Sequence, residues 1–178
     1  MYLFKITFFF LELISMEITL GKLPEEEWKK YKEIRLEALK NDSIAFGSSY
    51  EEEINRPESH WRNRTVGAVF AFSGEKIIGL MSYKDEDRPK TKHKSGIYSV
   101  YVKPDYRGKG VGKKLLEETL RLIKLNEEII KVNLTVNPSQ ISAVKLYESF
   151  GFKAVGTLHK ELLVNGTYYD EVLMELLF

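Results

Sequence analysis

The sequence predicts one mixed α/β (α+β) domain, a single and mostly antiparallel sheet of about seven strands flanked by about four helices. Three observations carry that expectation. The length of 178 residues suits one domain, and no linker, repeat or low-complexity tract divides it. Hydrophobic periodicity switches along the chain between about two and about 3.6 residues. Several strand-like runs are joined by turns too short for a parallel crossover.

Residues 1–15, MYLFKITFFFLELIS, are very apolar but include Lys5 and Glu12. The stretch is shorter than a membrane span of about 20 residues. Its positive cluster and small-residue cleavage site are both weak for a secretory signal. We expect an N-terminal extension outside the functional fold, which then runs over 16–178; an extra strand or a partner-binding segment are the alternatives. Met16 opens a fresh strand-like run, Glu17-Ile18-Thr19-Leu20.

Helix character begins at Pro24, followed by Glu25-Glu26-Glu27, which suit the positive end of a helix dipole. Trp28, Tyr31, Arg35 and Leu39 share one face over 24–40, and Asn41-Asp42-Ser43 stops the helix. Pro57 begins a short helix through Trp61. Strands are expected over 66–72, 76–83 and 95–102, the first two joined at Ser73-Gly74. The charged segment 84–94, with Pro89, reads as a solvated loop. From Gly110 to Leu125 the period is helical, with Val111, Leu115, Leu122 and Ile123 in one stripe. A strand over 131–136 precedes a helix over 141–150, closed by Gly151. Strands over 153–164 and 167–177 meet at Asn165-Gly166, a strong hairpin signal.

Composition narrows function. Lys and Arg number 27 against 26 Asp and Glu, without the basic excess of a nucleic-acid binder. A small or locally charged partner fits better. With zero Cys there is no disulfide, thiolate metal site or thiol nucleophile, which is compatible with a cytoplasmic location. The three His are not spaced as metal ligands, so no metal is expected.

The most informative segment is Val102-Lys103-Pro104-Asp105-Tyr106-Arg107-Gly108-Lys109-Gly110-Val111-Gly112. A strand ends, a glycine turn comes next, and an amphipathic helix starts at once. The first turn of a helix leaves N–H groups without partners and carries partial positive charge, so it suits an anion. Glycines let backbone approach a diphosphate closely. A P-loop would need Ser or Thr after Gly-Lys, where Lys114 stands, and a Gly where Arg107 stands. A dinucleotide fingerprint would need different glycine spacing in a parallel βαβ unit. Three glycines alone leave a plain helix-entry turn with solubilising lysines equally open.

This segment resembles the acetyl-CoA signature of the GNAT superfamily of N-acetyltransferases, an Arg or Gln, two residues, Gly, one residue, then Gly or Ala. Here those are Arg107, Gly110 and Gly112. Ala143-Val144-Lys145-Leu146-Tyr147-Glu148-Ser149-Phe150-Gly151-Phe152 is similar to the second family motif, and Asn165 to Met174 to the closing segment. The resemblance implies a GNAT-like sheet with a splayed central strand pair. It implies that the backbone of Val100, Tyr101 and Val102 pairs with the pantetheine arm of acetyl-CoA. The amides of Arg107, Gly108, Lys109, Gly110, Val111 and Gly112 would hold the pyrophosphate, with Asn137 a polar contact. Tyr147 would protonate the departing thiolate. From helix periodicity alone, Ile141, Val144 and Tyr147 share a face and Tyr147 reads as a core residue. Two departures stand out. Gln140 occupies the place of a common Asn, and no carboxylate lies between Gly96 and Val102, where Tyr98 and Ser99 stand, so the base is unassigned.

The implied reaction is acetyl transfer from acetyl-CoA to a primary amine of a small molecule or peptide, by direct attack in a ternary complex. A non-catalytic acyl-CoA-binding module is the alternative. Glu51-Glu52-Glu53 and Asp170-Glu171 are either attractors of a cationic amine or solvated surface. No nucleic-acid or membrane partner is expected, and a homodimer is compatible with the sequence.

Overall fold

Residues 17–178 are described by the computed structural model, so the expectations for 1–15 and Met16 lie outside the described residues. The described residues form seven strands: β1 (Ile18–Gly21), β2 (Ala68–Ser73), β3 (Lys76–Asp85), β4 (Lys94–Val102), β5 (Lys131–Val136), β6 (Lys153–Val164) and β7 (Thr167–Leu177). They form one sheet in the order β1-β2-β3-β4-β5-β7-β6. Every neighbouring pair is antiparallel except β4 and β5. The described α-helices are α1 (Trp28–Asn41), α2 (Tyr50–Glu53), α3 (Glu58–Val66), α4 (Val111–Ile123) and α5 (Ile141–Ser149).

Alternation along the central strands supplies a core on each face of the sheet. Val69, Ala71, Ile78, Met81 and Ile97 point to the face covered by α4 and α5, against Val111, Leu115, Leu116 and Ile123. Ala68, Phe70, Leu80 and Tyr101 point to the other, against Tyr31, Ile34, Ala38 and Leu39 of α1 and Trp61 of α3. Tyr31 packs edge-on to Phe70, with ring centroids 6.1 Å apart, and is fully buried. Each such ring removes enough apolar surface from water to contribute roughly 2–3 kcal/mol.

The helix that opens after Pro57 is longer than its sequence signal. It continues from Glu58 to Val66 because Trp61 and Thr65 both bury against the core, and the Thr65 hydroxyl donates to the Trp61 carbonyl at 2.8 Å. The strand expected from Val66 therefore begins at Ala68, after a cap at Gly67. The additional helix α2 is a single turn, started by Ser49, whose Oγ accepts from the Glu52 N–H at 3.1 Å. Three consecutive Glu carry no apolar period, so only the Ser49-x-x-Glu52 capping pattern marks it in the sequence.

Two irregularities shape the centre of the sheet. The parallel pairing of β4 with β5 covers only Lys94–Gly96 opposite Lys131–Asn133. Beyond it, β4 stays paired to β3 as far as Val102, and β5 to β7 as far as Val136. Each strand keeps to its own half of the sheet, and the halves part. Between Leu80 and Ser82 on β3, the facing residues on β4 run from Tyr101 to Tyr98, one residue more, which makes a bulge. Ser99 absorbs it in a left-handed conformation, φ 54°.

Candidate active site

The parting of β4 and β5 opens a cleft of about 1180 Å³, walled by Ile97–Val102 on one side and Leu134–Val136 on the other. Beyond Gly96, the β5-facing edge of β4 has no strand partner. Its backbone is free to pair with an extended amide chain, as an exposed sheet edge is in strand addition.

The glycine turn closes one end. Gly108 and Gly110 adopt φ 72° and 80°, a region that costs an L-residue about 1–2 kcal/mol. Gly110 is the N-cap of α4 and no side chain caps the helix. The first intrahelical bond runs from the Lys114 N–H to the Gly110 carbonyl at 3.1 Å, so the amides of Val111, Gly112 and Lys113 have no intrahelical acceptor. All three residues line the cleft. Gly112 serves a different need. A β-carbon there would stand 3.3 Å from Leu146 Cδ2, so its absence lets α4 start close against α5.

Arg107 lines the cleft but its side chain folds back. Its Nε donates to the Val102 carbonyl at 2.9 Å, Nη2 pairs with Asp42 at 2.5 Å, and the guanidinium lies 5.8 Å from the Tyr101 ring centroid. Lys109 is not among the cleft-lining residues and sits 5.7 Å from the Tyr106 ring; Lys113 is the lysine that lines the cleft.

Val100, Tyr101 and Val102 all line the cleft, as expected of the arm-binding strand. The Tyr101 side chain leaves it, however, and enters the α1 core. Its hydroxyl donates to Glu37 at 3.0 Å and accepts from Asn41 at 2.8 Å, and burial, with Glu37 beside it, pushes the phenol up to about 12. Asn137 is only 2% exposed and stands behind the wall. Its Oδ1 accepts from the Ser139 amide and hydroxyl at 2.9 and 2.7 Å, and Ser139 and Gln140 are the residues that reach the cleft.

Tyr147 is both core and cleft. It is 4% exposed, packs edge-on to Phe152 with centroids 5.9 Å apart, and lines the cleft through α5. Burial drives its phenol well above the ordinary value, so it is neutral and proton-bearing at neutral pH.

The opposite end carries a network that periodicity did not reveal. Arg35 holds Glu53 with two hydrogen bonds, 3.0 and 2.7 Å, both side chains buried. Burial alone would raise the Glu53 carboxyl, but the hydrogen bonds and charge of Arg35, joined by Arg64, hold it below the usual range. Arg64 donates through Nε to Tyr31 at 3.0 Å and through Nη2 to Ser99 Oγ at 3.0 Å, with Nη1 3.5 Å from Glu53. The triple Glu is therefore divided: Glu53 pairs internally, Glu52 pairs with Arg56 at the surface, and Glu51 is exposed.

Of Asp170-Glu171, strand alternation turns only Glu171 inward, where it is 9% exposed and lines the cleft. Asp170 faces out. The Lys160 N–H at 2.8 Å and His159 at 3.0 Å hold its carboxyl below the ordinary range. Opposite them β6 bulges: Leu158 to Leu162 faces only Glu171 to Tyr169, with Lys160 at φ 55°. The bulge turns Glu161 to the cleft that Glu171 also lines. Among the described residues no group of three or more His, Asp or Glu is placed to hold a metal, and no helix is long and apolar enough to cross a membrane.

Comparison with known proteins gives the family and the fold. Residues 26–152 match the family described as Acetyltransferase (GNAT) family. The chain is 29% identical over 158 residues to the SPbeta prophage-derived uncharacterized N-acetyltransferase YokL of Bacillus subtilis, covering 87% of this chain and 86% of that one. Among solved structures, a GNAT-family acetyltransferase from Streptococcus pneumoniae superposes with a TM-score of 0.77 at 20% identity, covering 91% of this chain and all of that one. The putative acetyltransferase yncA of Salmonella typhimurium, solved with its cofactor acetyl-CoA, gives 0.75 at 16% identity, covering 90% and 94%.

Proposed function

Because the chain belongs to the GNAT acetyltransferase family, we propose that it transfers an acetyl group from acetyl-CoA to a primary amine of a small molecule or peptide within a ternary complex. The single observation that carries this reading is the parting of β4 from β5, which brings a free strand edge, an uncapped helix start and a proton-bearing Tyr147 to one cleft.

The parts fit the donor. The amides from Gly108 to Gly112 take the pyrophosphate, with the partial positive end of α4 behind them and Lys113 beside them. The Arg107 amide is not among them, since it already donates to the Pro104 carbonyl at 3.1 Å, and in this reading its side chain shapes the turn. The free edge formed by Val100, Tyr101 and Val102 pairs with the amides of the pantetheine arm. Asn137 acts from behind, by holding Ser139 at the wall.

An alkylamine, of pKa about 10, is mostly protonated at neutral pH and must lose a proton first. That proton passes to a carboxylate or water at the acceptor end. The free amine then attacks the acetyl carbonyl, forming a C–N bond while the negative charge on oxygen meets backbone N–H groups at the Ser99 bulge. As the C–S bond breaks, the Tyr147 hydroxyl gives its proton to the leaving thiolate, and the second proton shed by the acylated nitrogen restores the phenol. With zero Cys there is no cysteinyl acyl-enzyme, and the rate gain comes from positioning. Residues 16–178 form the working unit in this reading, acting in the cytoplasm.

The experiment is CoA release with acetyl-CoA and a panel of amines and peptides, alongside calorimetry for acetyl-CoA. Turnover with any amine supports the proposal. Tight acetyl-CoA binding with no turnover across the panel makes the chain a binding module instead.

A further inference from the structure

We propose that the acceptor is an amine bearing a carboxylate on the neighbouring carbon, a free α-amino acid, and that Arg64 reads the carboxylate. This rests on the acetyl-transfer reading above and names the substrate class for the same cleft.

The reasoning starts from charge. At the α1–α3 end of the cleft two guanidiniums, Arg35 and Arg64, share the one carboxylate of Glu53. Arg35 takes that carboxylate with both oxygens, so Arg64 is left with a net positive charge. Arg35 itself is 3% exposed, and its Nη1 has no hydrogen-bond partner among the described residues. This end is short of acceptor atoms, and an anion would supply them.

Arg64 is also held as a reader would be. Tyr31, Ser99 and Glu53 engage one N–H on each of its three nitrogens, which fixes the plane of the guanidinium. A guanidinium has five N–H groups, so one remains on each of Nη1 and Nη2. Its side chain is 31% exposed and lines the cleft, and such a fork matches the geometry of a carboxylate.

The facing wall carries the opposite sign. Glu161, delivered by the β6 bulge, and Glu171, on β7, both line the cleft. They suit an incoming ammonium group and can take the proton that the amine must lose. Glu171 thereby supplies the carboxylate that β4 lacks.

Distance along the ligand is set by Ser99. Arg64 donates directly to Ser99, the bulge residue at which the acetyl oxygen is stabilised in the proposed reaction. An anion on Arg64 therefore lies close to the reacting amine. An α-carboxylate satisfies that; a polyamine has no anion, and a peptide N-terminus carries an amide in its place.

The test uses the full chain and matched ligand sets. Each L-amino acid, from small, apolar, basic, acidic and aromatic classes, is compared with its carboxamide and with its decarboxylated amine. The expected result is a kcat/KM for at least one acid about tenfold or more above both matched compounds. In Arg64→Gln that ratio should fall toward one, through KM for the acid. Arg64→Lys should keep part of it, since charge survives while the fork does not. Amides or decarboxylated amines used as well as the acids overturn the proposal, as does a ratio that survives Arg64→Gln. Should Arg64→Gln fail to fold, the wild-type ratio alone decides. Should no amine be acetylated, the transfer reading falls. Calorimetry of the acids against their amides, with and without CoA, then judges this inference separately: selective binding of the acids supports it, and equal or no binding overturns it.

Discussion

Arg107 and Asp42 are paired, and the pair ties the glycine turn to the C-terminal end of α1. Arg107 adds a bond to the Val102 carbonyl, so one side chain links the end of β4, the turn and α1. Its charge is largely committed before any phosphate arrives. The contact is partly exposed, 46% and 24% for the two side chains, so its worth to global stability is about 1 kcal/mol or less.

Asp42→Asn separates shape from charge at this point. If Arg107 works by ordering the turn, the substitution should weaken acetyl-CoA binding by about two- to fivefold, with a melting temperature nearly unchanged. Calorimetry at two salt concentrations checks it. A gain in affinity would show that the released guanidinium reaches the phosphates, and would return Arg107 to direct side-chain recognition.

Gly110 and Gly112 should fail in different ways. Gly110→Ala places an L-residue at φ 80° with open space around its β-carbon, so the cost is backbone strain of about 1–2 kcal/mol. Gly112→Val meets Leu146 and must push α5 from α4, an overpacking cost of about 1–3 kcal/mol. Both should weaken acetyl-CoA binding more than Lys109→Ala, which removes one screened charge outside the cleft wall. Melting curves and calorimetry on the same proteins give the ranking. If Lys109→Ala proves the most damaging to binding, the site works by side-chain charge and the backbone account is wrong.

Glu53 should govern acid stability. Its folded carboxyl is held below its unfolded value, so its contribution is present above the ordinary carboxylate pKa, about 4.3, and is lost as pH falls through the folded value. Glu53→Gln leaves Arg35 buried and short of its carboxylate, at a cost of about 3–5 kcal/mol near neutrality. It should also flatten the acid limb of stability against pH. Its neighbour Glu52, half-exposed and paired with Arg56, should tolerate the same change within about 0.5 kcal/mol. Urea unfolding from about pH 3 to 7 measures both. Equal losses at the two positions would contradict the buried pairing.

These residues also show where sequence reading ends. The seven strands of the described residues, the Asn165-Gly166 hairpin and the glycine turn before α4 were legible because periodicity and glycine mark them locally. The cleft itself was legible only through family resemblance. It depends on β4 and β5 pairing at three positions and then parting, which neither strand encodes alone. Both bulges were silent for a related reason. Ser99 and Lys160 carry φ 54° and 55° without the glycine that usually signals such a turn. Arg35 was the missed clue. A charged residue on the apolar face of α1, between Tyr31 and Leu39, asks for a buried partner. That partner, Glu53, was hidden as the last of three glutamates. Glu171 was recoverable, since strand alternation allows only one of Asp170 and Glu171 to face inward.

Tyr147 gives the sharpest test of the chemistry. It fills core space against Phe152 and also meets the cleft, so packing and proton donation must be separated in one variant. Tyr147→Phe keeps the ring and removes the proton. Stability near neutral pH should change by about 1 kcal/mol or less, because one hydroxyl hydrogen bond at most is lost. Acetyl-CoA affinity should hold. The chemical step, read as a single-turnover rate with a competent amine, should slow by about 10²-fold. Alkaline pH adds an independent readout. Burial raises the folded phenol above its unfolded value of about 10, so its contribution is complete below that pH and declines as pH rises further. Tyr101, pushed up to about 12, acts in the same direction, so Tyr147→Phe should reduce the alkaline slope and leave the Tyr101 part. An unchanged single-turnover rate with intact binding and a reduced alkaline slope would place Tyr147 in the core alone. The proton for the thiolate would then come from water or from the attacking amine.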